Sequence, residues 1–231
     1  MSVTIVITSC NRPKLLELTL KSFFKYNTFE DISGIIIIDD SGIFDCNKEC
    51  NDLIPTKIKR NFMYNESNIG QIASIDKAYS YVETEYIFHC EEDWEFYDYG
   101  FIEKSLEILK NDEKIVCVWL RQYGDSSHPV LKPIINNIYR HMDRNYEYIY
   151  DKKVYNWMGF TFNPGLRRKM DYDIIKPFTV SCKPYFYSTI PDEIDVQKIY
   201  KNLEMYAAIT LNKNGYVRHI GDDYHVKREY E

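Results

Sequence analysis

The apolar and polar positions of this chain fall into short β-branched runs separated by helical repeats. Val3 to Ile7 is a continuous apolar and β-branched run, the pattern of a strand buried on both faces in a parallel sheet. It exits through Thr8-Ser9-Cys10-Asn11-Arg12. Pro13, tolerated in a first turn, opens a helix on which Leu16, Leu20, Phe23 and Phe24 recur. Gly34 to Asp40 predicts a second strand, ending in Asp39-Asp40-Ser41-Gly42. A linker rich in Asn, Lys and Asp then leads to Asn68-Ile69-Gly70 and a helix with Ile72, Ile75, Tyr79 and Val82 on one face. Tyr86 to Cys90 is a third strand, and it runs straight into Glu91-Glu92-Asp93-Trp94.

Further along, Phe101 to Leu109 reads as a helix, Ile115 to Leu120 as a strand, and Trp157 to Asn163 as a strand ended by Pro164-Gly165. Val196, Ile199, Leu203 and Ala207 predict a helix from Asp195 to about Leu211, stopped at Asn214-Gly215 before a strand over Tyr216 to Ile220. Residues 123–156, with Pro129, Pro133 and many Tyr, Asn and Asp residues, predict long loops that shape a pocket. The charged stretch Asp222 to Glu231 reads as a mobile lid or a frayed end. Strand and helix alternate, so right-handed βαβ crossovers and an α/β sheet are expected. In such sheets ligands bind outside the carboxyl ends of the strands. Thr8 to Arg12, Asp39 to Ser41 and Glu91 to Asp93 are therefore expected at one crevice.

Three adjacent acids raise one another's pKa and are costly together unless a cation neutralises them. Carboxylate oxygens suit Mg²⁺ or Mn²⁺, and a site with one or two carboxylates leaves positions for a diphosphate. The alternative is an acidic turn with no ligand.

Composition narrows the classes. The 231 residues are 45% hydrophobic and 28% charged, enough for one domain with a substantial core. A formal charge of -6 argues against a nucleic-acid binder, which needs a basic face. No apolar run approaches the roughly 20 residues that span a bilayer, and the opening residues Met1 to Ile5 enter a strand without the basic and apolar regions of a signal peptide, so none is expected. The six cysteines form no CxxC pair, so a reducing cytoplasm is the expected location. The 21 tyrosines carry no functional reading.

Together these motifs resemble the GT-A-fold glycosyltransferases, especially family 2. Val3 to Pro13 with Leu16 and Ser22 is similar to that family's opening strand and helix, and Ile36 to Ser41 to its nucleotide-binding strand. Asn68-x-Gly70 matches the turn before the next helix, and Glu91-x-Asp93 stands where the family carries Asp-x-Asp. Glu204 followed by Gly215-Tyr216-Val217 resembles the catalytic acid and a Gly-Tyr strand, and Arg218-His219-Ile220 a late metal-ligand histidine. The match is firm over residues 1 to about 120. It implies a mixed, mostly parallel sheet flanked by helices, in one domain whose residues 1–120 bind the nucleotide sugar and 121–231 the acceptor.

The resemblance implies a metal-dependent, inverting hexosyl transfer from a nucleoside diphosphate sugar, UDP-sugar favoured, to a hydroxyl acceptor. Asp93, Glu91 and His219 are the expected metal ligands, with His225 as alternative to His219. Glu91 is one methylene longer than the usual Asp, which also suits a ribose or water-mediated contact. Thr8, Cys10, Asn11, Arg12, Asp39, Asp40, Asn68, Gly70, Lys77, Glu91 and Glu92 are the expected donor-binding residues. Asp40 accepts a hydrogen bond from uracil or ribose, and Arg12 or Lys77 meets phosphate. Glu204 is expected to take the acceptor proton, with Asp192, Glu193 and Asp195 next in line.

Each residue also has a plainer reading. Asp39 and Asp40 suit a strand-ending turn, Asn68 to Gly70 a helix start, and Lys77 and Glu204 a solvated helix face. Trp94 and Trp157 stack on a sugar or belong to the core. Two competing functions follow: a GT-A domain that binds nucleotide or partners without turnover, and a nucleotidyltransferase. The latter needs a Gly-rich loop after the first strand, which Thr-Ser-Cys-Asn-Arg-Pro is not.

Overall fold

The computed structural model describes residues 2–123, 131–134, 138–142, 146–150, 153–157, 159–182 and 192–221. Strand β1 (Val3–Ser9) has all its residues buried, as expected of a β-branched run covered on both faces. It pairs in parallel with β2 (Ile32–Asp39) on one side, and β2 pairs with β3 (Lys59–Tyr64). On its other side β1 pairs in parallel with β4 (Tyr86–Glu91). The chain thus reverses its winding direction at β1. That is the topological switch at which an α/β sheet opens a crevice.

Register decides what faces that crevice. Thr8 lies opposite both Ile38 and Glu91, and Ser9 opposite Asp39. The polar exits of three strands consequently emerge at one edge. Helix α1 (Pro13–Tyr26) covers one face of the sheet with Leu16, Leu20 and Phe23. Phe23 meets Phe88, β5 (Trp94–Phe96) and helix α3 (Phe101–Asn111) through edge-on rings 5.1–5.4 Å apart. Helix α2 (Gln71–Tyr79) covers the other face, where Ile72, Ile75 and Tyr79 pack with Val6, Ile36 and Ile87. Each strand divides its residues between the two layers by its period of two.

Strand β6 (Ile115–Trp119) leads to a second sheet, with β7 (Leu131–Ile134) and β8 (Tyr139–Met142), whose order is β6, β12 (Tyr206–Thr210), β8, β7. A hairpin of β9 (Tyr146–Tyr150) and β10 (Lys153–Trp157) stands apart from it in pairing. Strand β11 (Gly165–Arg168) then closes the first sheet antiparallel to β4. At Gly165 an added Cβ would lie 2.6 Å from the carbonyl of Val118, so glycine alone lets β11 pass β6 this closely. Short helices α4 (Lys169–Asp173) and α5 (Phe178–Ser181), helix α6 (Glu193–Asn202) and strand β13 (Val217–His219) complete the described chain.

Several expectations are corrected. The expected long loops of residues 123–156 contain four strands. The linker before Asn68 holds β3, an edge strand whose mixed composition hides its period. The strand expected over Trp157 to Asn163 ends at Trp157, and the chain after Pro164 forms β11 instead of a turn. The helix expected to reach Leu211 stops at Asn202, because Glu204 takes a left-handed conformation (φ 58) and Tyr206–Thr210 joins the sheet. Among the described residues no helix is long and apolar enough to cross a membrane.

Candidate active site at the strand ends

The turn Glu91–Trp94 is stapled from beneath by Thr19. Its hydroxyl donates to the Glu92 carbonyl at 2.6 Å and accepts from the Trp94 N–H at 3.1 Å. This aims the three acids in different directions. Glu92 turns back under the β1 exit, where one carboxylate oxygen accepts from the Cys10 N–H at 2.9 Å and from Arg12 Nε at 2.7 Å. The same guanidinium reaches Asp93 Oδ2 at 2.9 Å. Glu91 points the other way and accepts from Gln71 at 2.7 Å and from the Trp94 indole at 3.2 Å.

Asp93 is also approached from the C-terminal side. His219 Nε2 lies 3.2 Å from its Oδ2, and the Ile220 N–H donates to its backbone carbonyl at 2.8 Å. Gly221 packs so tightly that a Cβ there would fall 2.4 Å from Asp93 Oδ2. The remaining oxygen, Oδ1, is buried and has no hydrogen-bond partner among the described residues. A buried carboxylate oxygen with no donor is costly and calls for a cation or solvent.

The electrostatics follow from this placement. Burial, reinforced by the charges of Asp93 and Glu92, pushes the Glu91 carboxyl up to about 8. Burial also raises Glu92, with Arg12 opposing. At Asp93 burial is outweighed by the His219 hydrogen bond and the Arg12 charge, and its pKa lies below the ordinary carboxylate value. Cys10 is raised by burial and by Asp39, Asp40 and Glu92, so it lines the crevice as a neutral thiol.

The Asp39-Asp40 pair organises loops. Asp39 accepts from the Asn11 N–H at 3.0 Å, from Asn47 at 2.9 Å and from the Ser41 N–H at 3.0 Å. These bonds outweigh burial and lower its pKa. Asp40 accepts from Asn65, from the Ile69 N–H and from the Gly70 N–H, each at 2.8 Å. It thereby fixes the turn that starts α2, where Gly70 has a φ of 90. Lys77 donates to Asn65 Oδ1 at 2.7 Å, behind that turn.

The structure thus brings Thr8, Cys10, Asn11, Arg12, Asp39, Asp40, Asn68, Gly70, Glu91, Glu92, Asp93 and His219 to one edge. Trp94 is 1% exposed and bonded to Glu91, a core position that corrects the reading of it as a sugar platform. Trp157 ends β10, and His225 and the stretch Asp222 to Glu231 lie outside the described residues.

Glu204 is not brought to this edge. It follows Leu203, whose carbonyl receives Lys114, and Tyr206 pairs with Ile115 at the start of β6. That end of the sheet also holds Tyr86, the start of β4, because Arg168 pairs with Tyr86 and its guanidinium bonds the Leu109 and Glu113 carbonyls. Glu204 is exposed there, at the end opposite to the acidic turn.

Glu193, named only in reserve, has the better position. It opens α6 behind the Asp192 cap, and its carboxylate accepts from the Phe162 N–H at 2.7 Å, Thr161 Oγ1 at 3.2 Å and Gln197 at 3.0 Å. Burial raises its pKa against those bonds, and its charge in turn raises Glu91. Asp192 and Asp195 form the capping box instead. Two residues went unnoticed in the sequence: Gln71, and Arg121, whose guanidinium lies 5.2 Å from the Trp94 ring centroid. The strand-end rule applied to β6 would have found Arg121.

Residues 4–175 match the family described as Glycosyl transferase family 2. The structure of S. aureus TarS 1-349 is similar with a TM-score of 0.60 and 13% identity, covering 94% of this chain and 60% of that one. The S. aureus TarS structure gives a TM-score of 0.62 at 13% identity, over 94% of this chain and 36% of that one. The mannosyltransferase PcManGT from Pyrobaculum calidifontis, in complex with GDP-Man and Mn2+, has a TM-score of 0.45 and 12% identity over 52% of this chain and 35% of that one. The chain thus spans at most 60% of the length of these structures. No curated protein matches it. The likeness to TarS shows a shared fold, the GT-A arrangement of a mostly parallel sheet flanked by helices.

Proposed function

Because the chain belongs to glycosyl transferase family 2, we propose that it is a divalent-cation-dependent, inverting hexosyltransferase that moves a sugar from a UDP-sugar to a hydroxyl acceptor. The observation that carries this reading is the buried, unpartnered Oδ1 of Asp93 beside His219 at the edge where the β1, β2 and β4 exits meet. Among the described residues no three such side chains already form a cage. The donor set still fits Mn²⁺ or Mg²⁺, which use one or two carboxylates together with substrate phosphates.

Asp93 and His219 would hold the ion, with Glu91 next to them. When bound, it supplies Lewis-acid stabilisation of the departing diphosphate. Arg12 keeps Glu92 and Asp93 in place and sets a positive charge at the mouth of the β1 loop. The Asp39 and Asp40 loops shape the nucleoside pocket, and their backbone geometry, more than their carboxylates, meets the base. Glu193 takes the proton of the acceptor hydroxyl as its oxygen attacks the anomeric carbon and the bond to the diphosphate breaks. A carboxylate with a raised pKa is suited to that work near neutral pH. A second reading rests on Arg12: its guanidinium already neutralises part of the acidic cluster, which favours a domain that binds the nucleotide sugar without turnover.

Release of UDP from a panel of UDP-sugars, with Mn²⁺ and with chelator, tests the proposal. We expect Asp93→Asn to lose metal-stimulated turnover, Glu193→Gln to lose roughly 10²- to 10⁴-fold in rate, and Glu204→Gln to retain the parent rate. Turnover unaffected by chelator would remove the metal. Parent activity in Glu193→Gln would remove the base.

A further inference from the structure

The segment that holds Glu193 is backed by a buried cation that the chemistry above leaves unused. Arg167 lies on β11 opposite Ile87 and is 4% exposed. Its guanidinium carbon stands 5.2 Å from the Phe160 ring centroid and 5.5 Å from that of Phe162. One nitrogen donates to the Thr161 carbonyl at 3.2 Å. Nε and Nη1 make no hydrogen bond of good geometry among the described residues, with the Tyr79 hydroxyl the neutral group beside them, and no carboxylate there forms an ion pair with the guanidinium. A guanidinium buried in this way is expensive, and it persists only where its charge is matched nearby.

The immediate neighbours do not match it. His89 is fully buried, both of its nitrogens lack partners, and burial with the Arg167 charge drives its pKa well down, so it stays neutral. Burial pushes the Tyr79 hydroxyl up to about 12 and the Cys117 thiol up to about 11, so both are uncharged as well. The acid that feels its charge is Glu193, whose pKa the Arg167 guanidinium draws down against burial. The Thr161–Phe162 segment that Arg167 grips by its carbonyl is the segment whose hydroxyl and N–H bind the Glu193 carboxylate. The Glu193 charge in turn raises Glu91 on β4, and Gln197 holds the other Glu193 oxygen from its own helix.

We propose that Arg167 is a positioning residue for Glu193: it clamps the Thr161–Phe162 peptide from inside the molecule and sets a buried positive charge behind the carboxylate, holding it ionised and aimed into the crevice. The inference rests on the reading of Glu193 as the base, yet the coupling it describes is measurable without turnover. Carboxyl ¹³C NMR titration of glutamate-labelled protein, with Glu193→Gln to assign the resonance, reads it directly. We expect the Glu193 midpoint to move to higher pH in Arg167→Met and to stay near the parent value in Arg167→Lys. In the transfer assay, Arg167→Met lowers kcat by part of the roughly 10²- to 10⁴-fold that loss of a base causes, leaves the donor KM unchanged, and shifts the acid limb of the pH profile upward. Thr161→Val removes one donor and keeps the guanidinium in the core. It should raise the same midpoint, and it serves in place of Arg167→Met should that variant fail to fold. A Glu193 resonance that titrates at the parent pH in these variants overturns the inference. A shifted resonance with a Glu193→Gln enzyme still at parent rate leaves the coupling standing and overturns the base assignment alone.

Discussion

Asp40 separates two accounts of the nucleotide pocket. If it contacts the nucleoside, its loss weakens the donor and spares the fold; the structure predicts the reverse order of effects. Its carboxylate accepts three hydrogen bonds, from Asn65, Ile69 and Gly70, and the residue is 6% exposed. Asp40→Ala leaves those donors without a partner. Each bond to a charged acceptor is worth about 1.5–3 kcal/mol, but water reaches the exposed 69–70 turn, so the net cost should be about 3–5 kcal/mol. At about 2–4 °C per kcal/mol for a chain of this size, Tm should fall by roughly 10 °C. Asp40→Asn keeps one acceptor oxygen for Asn65 and Ile69 and turns an amide toward the Gly70 N–H. It should lose one bond, about 1–3 kcal/mol. Thermal and urea unfolding of the parent and both variants, with UDP calorimetry on the same samples, measures this. An alanine variant as stable as the parent that nevertheless loses UDP affinity would refute the latch and restore Asp40 as a ligand contact.

Glu91 and Gly221 give two further outcomes. The folded state holds the Glu91 carboxyl at about 8 against an ordinary 4.5, so it binds a proton that the unfolded chain releases between those values. Stability therefore falls as pH rises from about 4.5 to about 8, and urea midpoints across that range should show the slope in the parent and lose it in Glu91→Gln; an equal slope in both would remove Glu91 as its source. Gly221→Ala forces a methyl against Asp93 and should destabilise by about 1–3 kcal/mol and abolish any Mn²⁺-induced rise in Tm, whereas a variant with parent stability and parent metal response would show that the close approach is dispensable.

Sequence periodicity alone determined the strands that build the crevice. Val3 to Ile7, Ile35 to Ile38 and Tyr86 to Cys90 are dominated by apolar and β-branched residues, broken only by Thr4 and His89, because both of their faces are covered, and their polar exits mark the ligand edge whatever the packing. The acids at Glu91 to Asp93 were legible for the same reason. The partners of those acids were not. Arg12 meets Glu92 across 80 positions, and Gly221 seals Asp93, contacts that arise from the register of β1 against β4 and of β13 against β5. The choice between Glu204 and Glu193 was also tertiary. Leu203 and Ala207 continue the helical spacing of Val196 and Ile199 by coincidence, while pairing with β6 draws Tyr206–Thr210 into a sheet and leaves Glu204 at its far end. Arg167 was hidden because Pro164-Gly165 reads as a turn; only the edge of β4 makes Gly165–Arg168 a strand and buries a guanidinium behind the crevice. Local pattern sets which residues leave the sheet at its ligand edge, since a strand's period is written in its own side chains. Which groups then neutralise one another depends on distances between segments far apart in the chain, and those exist only once the layers have packed.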